Sequence, residues 1–348
     1  MEEYIAFDSH KRYTWVEREE VESGRTVSGR LEHARGAIRR YLAGCAPGTP
    51  VAVEATANWY WIVEEIEQAG LQPLLVHPRK AKLMRGLINK TDKLDAHGLN
   101  RLPRNGTLPV VWIPPEELRD LRELTRTRVV LVQQRTRLKN RLTATRAKYG
   151  LGVEASDPYG KRGRAEWESQ LEQLPPQRRW VSQQLWAQLD FLTQQIEQVE
   201  ERFEELIEMT PAMQWLLSLP GVGVILAATI ALEIGDITRF PSAAHLASYS
   251  GTTPRVQASG GRVRYGRLRP DVNRYLKWAF AEAANSVAVN HLRQPPRHVS
   301  RLYRRLRERK GHAKAVGAVA RHWAEAAFHV LSRQEEYRDP EAGRSSEV

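Results

Sequence analysis

The sequence predicts a mixed α/β domain at the N-terminus, followed by a long helical arm and a mainly helical C-terminal domain. Short apolar runs alternate with helical patterns up to residue 113, where Pro114-Pro115 interrupts the chain. Two long segments with a helical repeat follow, at residues 116–148 and 177–209. We therefore divide the chain into an α/β domain (1–113), a coiled-coil arm (114–210), a helical domain (211–331) and a polar tail (332–348).

The N-terminal elements follow the order three strands, helix, strand, helix, strand, helix. The predicted strands cover residues 4–8, 13–17, 25–28, 50–54 and 72–76. The predicted helices cover residues 31–42 and 59–69, and a last one begins near residue 91. This order is that of the ribonuclease H-like fold, which we predict for residues 1–113.

Four acidic residues lie at two strand ends and in the last helix of this predicted domain. Asp8 and Glu54 each end an apolar strand, and Asp92 and Asp95 lie three residues apart in the first turn of the last helix. By itself, such an aspartate pair is more often a solvated helix start, since acids there suit the helix dipole. Four carboxylates brought to one point instead predict a magnesium site, with two ions expected, for phosphoryl transfer.

The composition favours a polyanionic partner. The chain of 348 residues has 53 Lys+Arg against 41 Asp+Glu, a net charge of +12, as nucleic-acid-binding proteins often do. Its single cysteine, Cys45, leaves no internal disulfide and no cysteine zinc site, so we expect a cytoplasmic protein. No apolar run reaches membrane-spanning length, and we expect no membrane partner.

Several motifs carry a resemblance to a known family. They are Glu54-Ala55-Thr56 with Tyr60, His77-Pro78, residues 90–96, residues 220–223 and residues 258–260. In these motifs the chain resembles the DEDD transposases of the insertion sequence 110 family. The resemblance implies a first domain like the junction resolvase RuvC, donor and target DNA as substrates, a structured bridge RNA as guide, and a nucleophilic serine at Ser259. Two departures, Ser9-His10 and His77, replace the commoner Val-Ala and Asn and leave all four acids in place.

The first arm helix, residues 116–148, is rich in cations. Leucines follow a heptad seam that also contains Arg128 and Arg135, and the flanks hold Lys139 and Arg141 among other basic residues. A charge run is usually a solvated face, but so basic a helix favours phosphate contact. We predict that these four residues contact nucleic acid, with guide RNA as the partner.

The second arm helix, residues 177–209, has an apolar seam from Leu185 to Leu206 and an acidic outer face. We predict an antiparallel pair with the basic helix, formed within one subunit or between two. Because an apolar stripe must be covered, we expect a homodimer or a dimer of dimers. Residues 150–176 are predicted to be an irregular tip.

A helix-hairpin-helix pattern opens the C-terminal domain. Residues 216–235 read as two helices around Pro220-Gly221-Val222-Gly223, a helix-hairpin-helix pattern whose amides at Gly221 and Gly223 can bind phosphate. A tight turn between packed helices explains the motif about as well. Further helices are predicted at residues 243–249, 273–290 and 313–331, with a basic stretch at 297–312.

Ser259 precedes Gly260-Gly261 and is surrounded by Arg255, Arg262 and Arg264. Without the resemblance this is an ordinary turn. With it, the hydroxyl is the expected nucleophile, and the arginines can stabilise the charge on a phosphodiester under attack. Since no histidine or lysine adjoins it, we expect activation by metal on the four acids, of the same or another subunit.

These features predict a transposase or DNA recombinase that exchanges strands through a serine–DNA intermediate. Two other readings stay open at this point. One is a RuvC-like metal-dependent junction nuclease that uses water, with Ser259 merely structural. The other is a non-catalytic nucleic-acid-binding protein, against which the four intact acids speak.

Overall fold

The computed structural model describes residues 3–85, 92–268 and 270–340; of Arg85, Lys93 and Arg267 only the backbone is described. The chain forms two compact units, Met1–Pro114 and Pro115–Val348. The arm helices and the C-terminal helices belong to the same unit. In the described ranges, no helix is long and apolar enough to cross a membrane.

The first unit contains five strands and four helices among its described residues. The strands are β1 (Glu3–Ser9), β2 (Tyr13–Glu20), β3 (Thr26–Glu32), β4 (Pro50–Glu54) and β5 (Gln72–Val76). The helices are α1 (Ala37–Leu42), α2 (Trp59–Gln68), α3 (Pro78–Arg85) and α4 (Asp92–Arg104). Residues 90 and 91 of the predicted motif lie outside the described residues.

These strands form one mixed sheet in the order β3-β2-β1-β4-β5. The first three strands pair antiparallel, whereas β4 pairs parallel with both β1 and β5. The mixed α/β domain predicted from the sequence is therefore confirmed.

Side-chain alternation gives the sheet two different faces. Ile5 and Phe7 of β1 lie in an apolar cluster with residues of α1 and α2. Ala6 and Ala52 lie in a second cluster with residues of α3 and α4. Both faces are thus covered by helices, and small alanines lie on the face towards α4.

One prediction for this unit was wrong, and one helix was missed. A helix was expected over residues 31–42, but β3 continues to Glu32, pairing with β2 as far as Tyr13↔Glu32, and α1 begins only at Ala37. Pairing with β2 overrides the helical repeat of residues 31–34 because it satisfies the backbone groups of this stretch. Helix α3 was not predicted.

The second unit contains nine α-helices and a two-stranded sheet among its described residues. Its arm helices are α5 (Glu116–Lys148), α6 (Lys161–Gln170) and α7 (Pro176–Leu206). The other helices are α8 (Pro211–Leu217), α9 (Val224–Ile234), α10 (Ala243–Tyr249), α11 (Arg274–Asn290), α12 (His298–Lys310) and α13 (His312–Arg333). Strands β6 (Pro254–Ser259) and β7 (Arg262–Leu268) form a hairpin. Of the predicted tail, residues 341–348 lie outside the described residues.

Helices α5 and α7 pack antiparallel within one chain. At one end Arg128 pairs with Glu200, and at the other Leu142 clusters with Leu185 and Leu189. The apolar seam of α7 is therefore covered by α5, with Leu185, Leu189, Ile196 and Phe203 buried. The seam does not require a second subunit, and our sequence-based reason for expecting a dimer no longer holds.

The expected irregular tip is in part a helix. Helix α6 lies between the two arm helices in sequence, and its Trp167 is 2% exposed. The Arg146 guanidinium of α5 lies 4.6 Å from the centre of the Trp167 ring. Residues 161–170 contain few apolar side chains, and a single buried aromatic residue anchors the helix. The sequence pattern therefore did not predict it.

Candidate functional site

Asp8 and Glu54 share the α4 face of the sheet. Asp8 follows Ala6 by two residues and Glu54 follows Ala52 by two, so both side chains point to the side that α4 covers. Strands β1 and β4 run parallel and pair as far as Phe7↔Val53, one position before these acids. The two carboxylates therefore leave neighbouring strands at the same edge.

Helix α4 brings its first turn, which contains Asp92 and Asp95, to this edge. Two acids of β2 hold the helix there, each with a partner on α4. Glu17 accepts a hydrogen bond from His97 at 2.8 Å, and Glu19 pairs with Arg104 at 2.6 Å. Glu17 is 2% exposed, so this polar contact determines where the helix can lie.

A residue that the sequence did not single out as functional lies between two of the acids. His10 Nε2 is 3.1 Å from Asp8 Oδ2 and 3.3 Å from Asp92 Oδ1. The hydroxyl of Tyr13 donates to Asp92 Oδ2 at 2.7 Å, and Asn58 Nδ2 donates to the backbone carbonyl of His10 at 2.8 Å. The short spacing Asp8-x-His10 at a strand end was the only sequence signal for this role.

The chemistry of this cluster fits a divalent cation. Asp8, His10 and Asp92 each offer one ligand atom, and these atoms lie within 4.8 Å of one another. Burial raises the pKa of Asp8, the nearby His10 lowers it, and Asp95 and Asp92 raise it further. Carboxylates gathered in this way repel each other, and a bound divalent cation would offset that repulsion.

Some cations of α5 contact other side chains of the same chain, and others are accessible. Arg128, which we predicted to contact nucleic acid, is 18% exposed and donates to Glu200 Oε1 at 2.6 Å. Lys139 lies 4.8 Å from the centre of the Tyr159 ring, and burial lowers its pKa. Arg135 is half-buried and Arg141 is exposed. Of the four predicted contacts, Arg141 is the most accessible.

Other arginines of α5 bind the end of α9. Arg122 donates to the carbonyls of Leu232 and Glu233 at 2.7 and 3.0 Å, satisfying two of the last carbonyls of that helix. Arg126 donates to the Glu233 carboxylate at 2.6 Å, and Asn273 Nδ2 donates to its other oxygen at 2.8 Å. Glu233 is fully buried, so part of the basic character of α5 serves the fold.

The two glycines of the turn between α8 and α9 differ in their surroundings. Gly221 has φ +87°, and a Cβ there would lie 2.6 Å from the carbonyl oxygen of Ala283 on α11. Gly223 precedes α9 with φ −97°, and a Cβ there would meet no atom within 4 Å. Close approach to α11 thus explains Gly221, whereas phosphate binding at either glycine stays a prediction.

Ser259 is the last residue of β6 and is exposed. Gly260 and Gly261, with φ +56° and +74°, form the two-residue turn to β7. Two positive φ angles in succession are those of a type I′ hairpin turn. The stretch that the sequence alone presents as an ordinary turn is thus a β-hairpin, with the serine at its tip.

Two family models match the chain. The one for the transposase domain of the DEDD type covers residues 6–149, and the one described as transposase IS116/IS110/IS902 family covers residues 213–300. Relatives support both matches. The transposase for insertion sequence element IS1328 of Yersinia enterocolitica is 26% identical over 67% of this chain and 69% of its own length. A probable family 20 transposase of Pseudomonas aeruginosa is 25% identical over 89% and 91%.

An α/β unit with clustered acids, joined to a basic helical unit and matched by these models, defines a transposase, an enzyme class that cuts and joins DNA. The chain belongs to the IS110 family of DEDD transposases. The resemblance seen in the sequence motifs is confirmed. DNA is accordingly a substrate, and the DEDD domain implies the use of a divalent metal.

Proposed function

We propose that this transposase is a DNA recombinase that exchanges strands through a covalent bond between Ser259 and DNA. Its α/β unit would be a RuvC-like ribonuclease H-type domain, a reading supported by the sheet order β3-β2-β1-β4-β5. The single observation that carries metal-dependent strand cleavage is the meeting of Asp8, His10 and Asp92 at the strand ends, on the face that Glu54 shares. The serine step is supported by the resemblance and by the exposed position of Ser259 at the hairpin tip.

Asp8, Glu54, Asp92 and Asp95 would hold magnesium, two ions being expected for four carboxylates. When bound, magnesium supplies a Lewis acid that neutralises charge on the reacting phosphate. Tyr13 would orient Asp92 through its 2.7 Å hydrogen bond, and Asn58 would fix the backbone at His10. Such supporting hydrogen bonds fix the orientation of metal-ligating groups.

In the proposed reaction the Ser259 oxygen attacks a phosphodiester of DNA. One phosphorus–oxygen bond to serine forms and one to a sugar oxygen breaks. The serine proton passes to a general base, and the departing sugar oxygen takes up a proton to become a hydroxyl group. The number of phosphoester bonds is unchanged, so rejoining needs no high-energy cofactor. Residues 252–268 contain no His, Asp, Glu or Lys, and the base therefore comes from elsewhere.

The partners we propose are donor and target DNA and a structured bridge RNA, with the active assembly a dimer or a dimer of dimers. The net charge of +12 supports the nucleic-acid partners. Exposed Arg141 and half-buried Arg135 on α5 support RNA contact there. The turn at Gly221 and Gly223 would act as a helix-hairpin-helix contact to phosphate.

The decisive experiment traps the protein–DNA adduct. Wild-type protein is produced in cells that also carry the DNA flanking its gene. It should yield a denaturation-resistant adduct that maps to Ser259 by mass spectrometry. Ser259→Ala should bind DNA with unchanged affinity yet give neither adduct nor exchange. Ser169→Ala, an exposed serine on α6, is the matched control and should behave as wild type. Cleavage by Ser259→Ala at the wild-type rate would show that water is the nucleophile, as in a junction nuclease.

A further inference from the structure

The β6–β7 hairpin has two chemically different faces. Its register pairs Val256 with Tyr265 and Ala258 with Val263, so one face of the ribbon is apolar apart from the Tyr265 hydroxyl. The pairs Gln257–Arg264 and Ser259–Arg262 lie on the opposite face, which we call the serine face.

Arg255 extends the serine face by one more row. It precedes Gln257 by two residues, and a Cβ built at Gly266 would lie 3.7 Å from the Arg255 Cβ. Side chains on the serine face are exposed, and they carry cations or hydrogen-bonding groups. The ribbon therefore presents arginine, glutamine and the proposed nucleophile in one plane.

Each row of the serine face has a different relation to Ser259. Arg262 is its cross-strand partner, and the Cβ atoms of such pairs lie about 4.5–5.5 Å apart. Arg262 is thus placed to contact the phosphate under attack. The Gln257–Arg264 row lies two residues along the strands, or about 6.8 Å away. That distance is about two base steps of stacked DNA, at about 3.4 Å each.

The side chains of this second row are those that read bases. An arginine fork pairs with two acceptors of guanine, and a glutamine amide pairs with the donor and acceptor of adenine. A two-stranded ribbon is also narrow enough to enter the major groove. Either side chain could also donate to a phosphate, but the arginine fork and the glutamine amide together offer the paired hydrogen-bonding groups that a base edge requires.

We propose that Gln257 and Arg264 read the DNA bases about two steps from the phosphate that Ser259 attacks, and so restrict the sequence at which strands are exchanged. This inference rests on the proposed serine chemistry. It adds a contribution of the protein itself to sequence choice.

The test uses a plasmid carrying the joined ends of the mobile element, with the base pairs around the exchange point randomised. Wild-type protein and its variants act on this pool with the same RNA, transcribed from the DNA that flanks the gene, which we call the flanking RNA. The products are then sequenced. We expect Gln257→Ala and Arg264→Ala each to weaken the base preference about two steps from the exchange point by about 5- to 150-fold. That range corresponds to the 1–3 kcal/mol of discrimination by one bidentate contact. Val263→Thr, on the apolar face, is the control and should keep the wild-type preference.

A second variant separates base reading from phosphate contact. Arg264→Lys keeps the charge but loses the planar fork, so it should lose as much base preference as Arg264→Ala. If Arg264→Ala instead slows exchange equally at all sequences, Arg264 contacts phosphate and the inference is wrong. Lower affinity for the flanking RNA in either alanine variant would make RNA the ligand of this face and would also overturn it.

The outcomes for the two proposals are distinguishable. If wild-type protein forms no serine adduct, the proposed function fails, whatever the base preference. If adducts form normally in Gln257→Ala and Arg264→Ala and the preference is unchanged, only the present inference fails. Both side chains are exposed, so neither substitution should disturb the fold. Thermal unfolding of each variant checks this.

Discussion

Arg128 Nε on α5 donates a hydrogen bond to Glu200 Oε1 on α7 at 2.6 Å. The basic seam of α5 predicted Arg128 to contact phosphate. Its charge is instead neutralised by Glu200, on the acidic helix of the same chain. This contact separates arginines that hold the arm together from those that remain accessible to a partner.

RNA binding should follow accessibility rather than the number of cations. We expect Arg135→Ala with Arg141→Ala to weaken binding of the flanking RNA and to lower the salt slope by about 1 for each lost phosphate contact. Filter binding at several salt concentrations measures this. Arg128→Ala is the matched control and should leave the slope unchanged. A larger effect from Arg128→Ala than from the double variant would contradict the assignment.

Magnesium should stabilise the protein through the acidic cluster. A ligand at about 100 times its Kd raises the free energy of unfolding by about 2.7 kcal/mol. We expect calorimetry to show a higher Tm with magnesium for wild type and for His10→Ala, which keeps the oxygen donors, but not for Asp8→Asn. Asp120→Asn, an exposed acid on α5, should respond as wild type. An equal response from Asp8→Asn would mean that magnesium binds elsewhere.

Alanine at the two turn glycines should have unequal effects. Gly221→Ala places a side chain at positive φ, which costs about 1–3 kcal/mol, and its contact with Ala283 adds about 1–3 kcal/mol. Gly223→Ala meets no neighbour and should change the free energy of unfolding by less than about 1 kcal/mol. Urea unfolding gives both values. If Gly223→Ala nevertheless weakens DNA binding, the turn contacts phosphate; equal stability losses would refute the steric argument.

Glu233 should contribute strongly to the stability of the second unit. Glu233→Ala removes the buried carboxylate that lies 2.6 Å from Arg126 Nε, and breaking a buried ion pair costs about 3–5 kcal/mol. Glu205→Ala breaks the exposed pair with Arg202, and such pairs contribute about 0–1 kcal/mol. Chemical denaturation compares the two variants. A loss below about 1 kcal/mol for Glu233→Ala would argue against this network.

Stability should fall in mild acid because of His322. Burial lowers the pKa of His322 below its ordinary 6.5, and the charge of His298 lowers it further. Glu325 and Asp339 act in the opposite direction. The unfolded chain then binds more protons below about pH 6.5, so the free energy of unfolding decreases as the pH falls. His322→Gln does not titrate and should lose less stability between pH 7 and pH 5.5. Identical pH profiles for the two proteins would exclude this cause.

The sequence by itself determined the elements that depend on near neighbours. Strands β4 and β5 and helix α5 have the bounds expected from their apolar runs and from the absence of proline and glycine in residues 116–148. The acids at strand ends followed from the same local reading, whereas the family was indicated by motifs that resemble those of its members and was confirmed by the family models. Local pattern suffices there because backbone pairing and side-chain period repeat every few residues.

Only the tertiary structure decided which partner each side chain has. It placed His10 between Asp8 and Asp92, assigned Arg126 to Glu233, and covered the α7 seam with α5 of the same chain. It also turned the surroundings of Ser259 into a ribbon with two distinct faces. Arg126 and Glu233 are 107 residues apart, and a contact at that separation depends on how several helices pack together. No local period encodes that choice, because it is made by the burial of charge among elements that meet only in the folded chain.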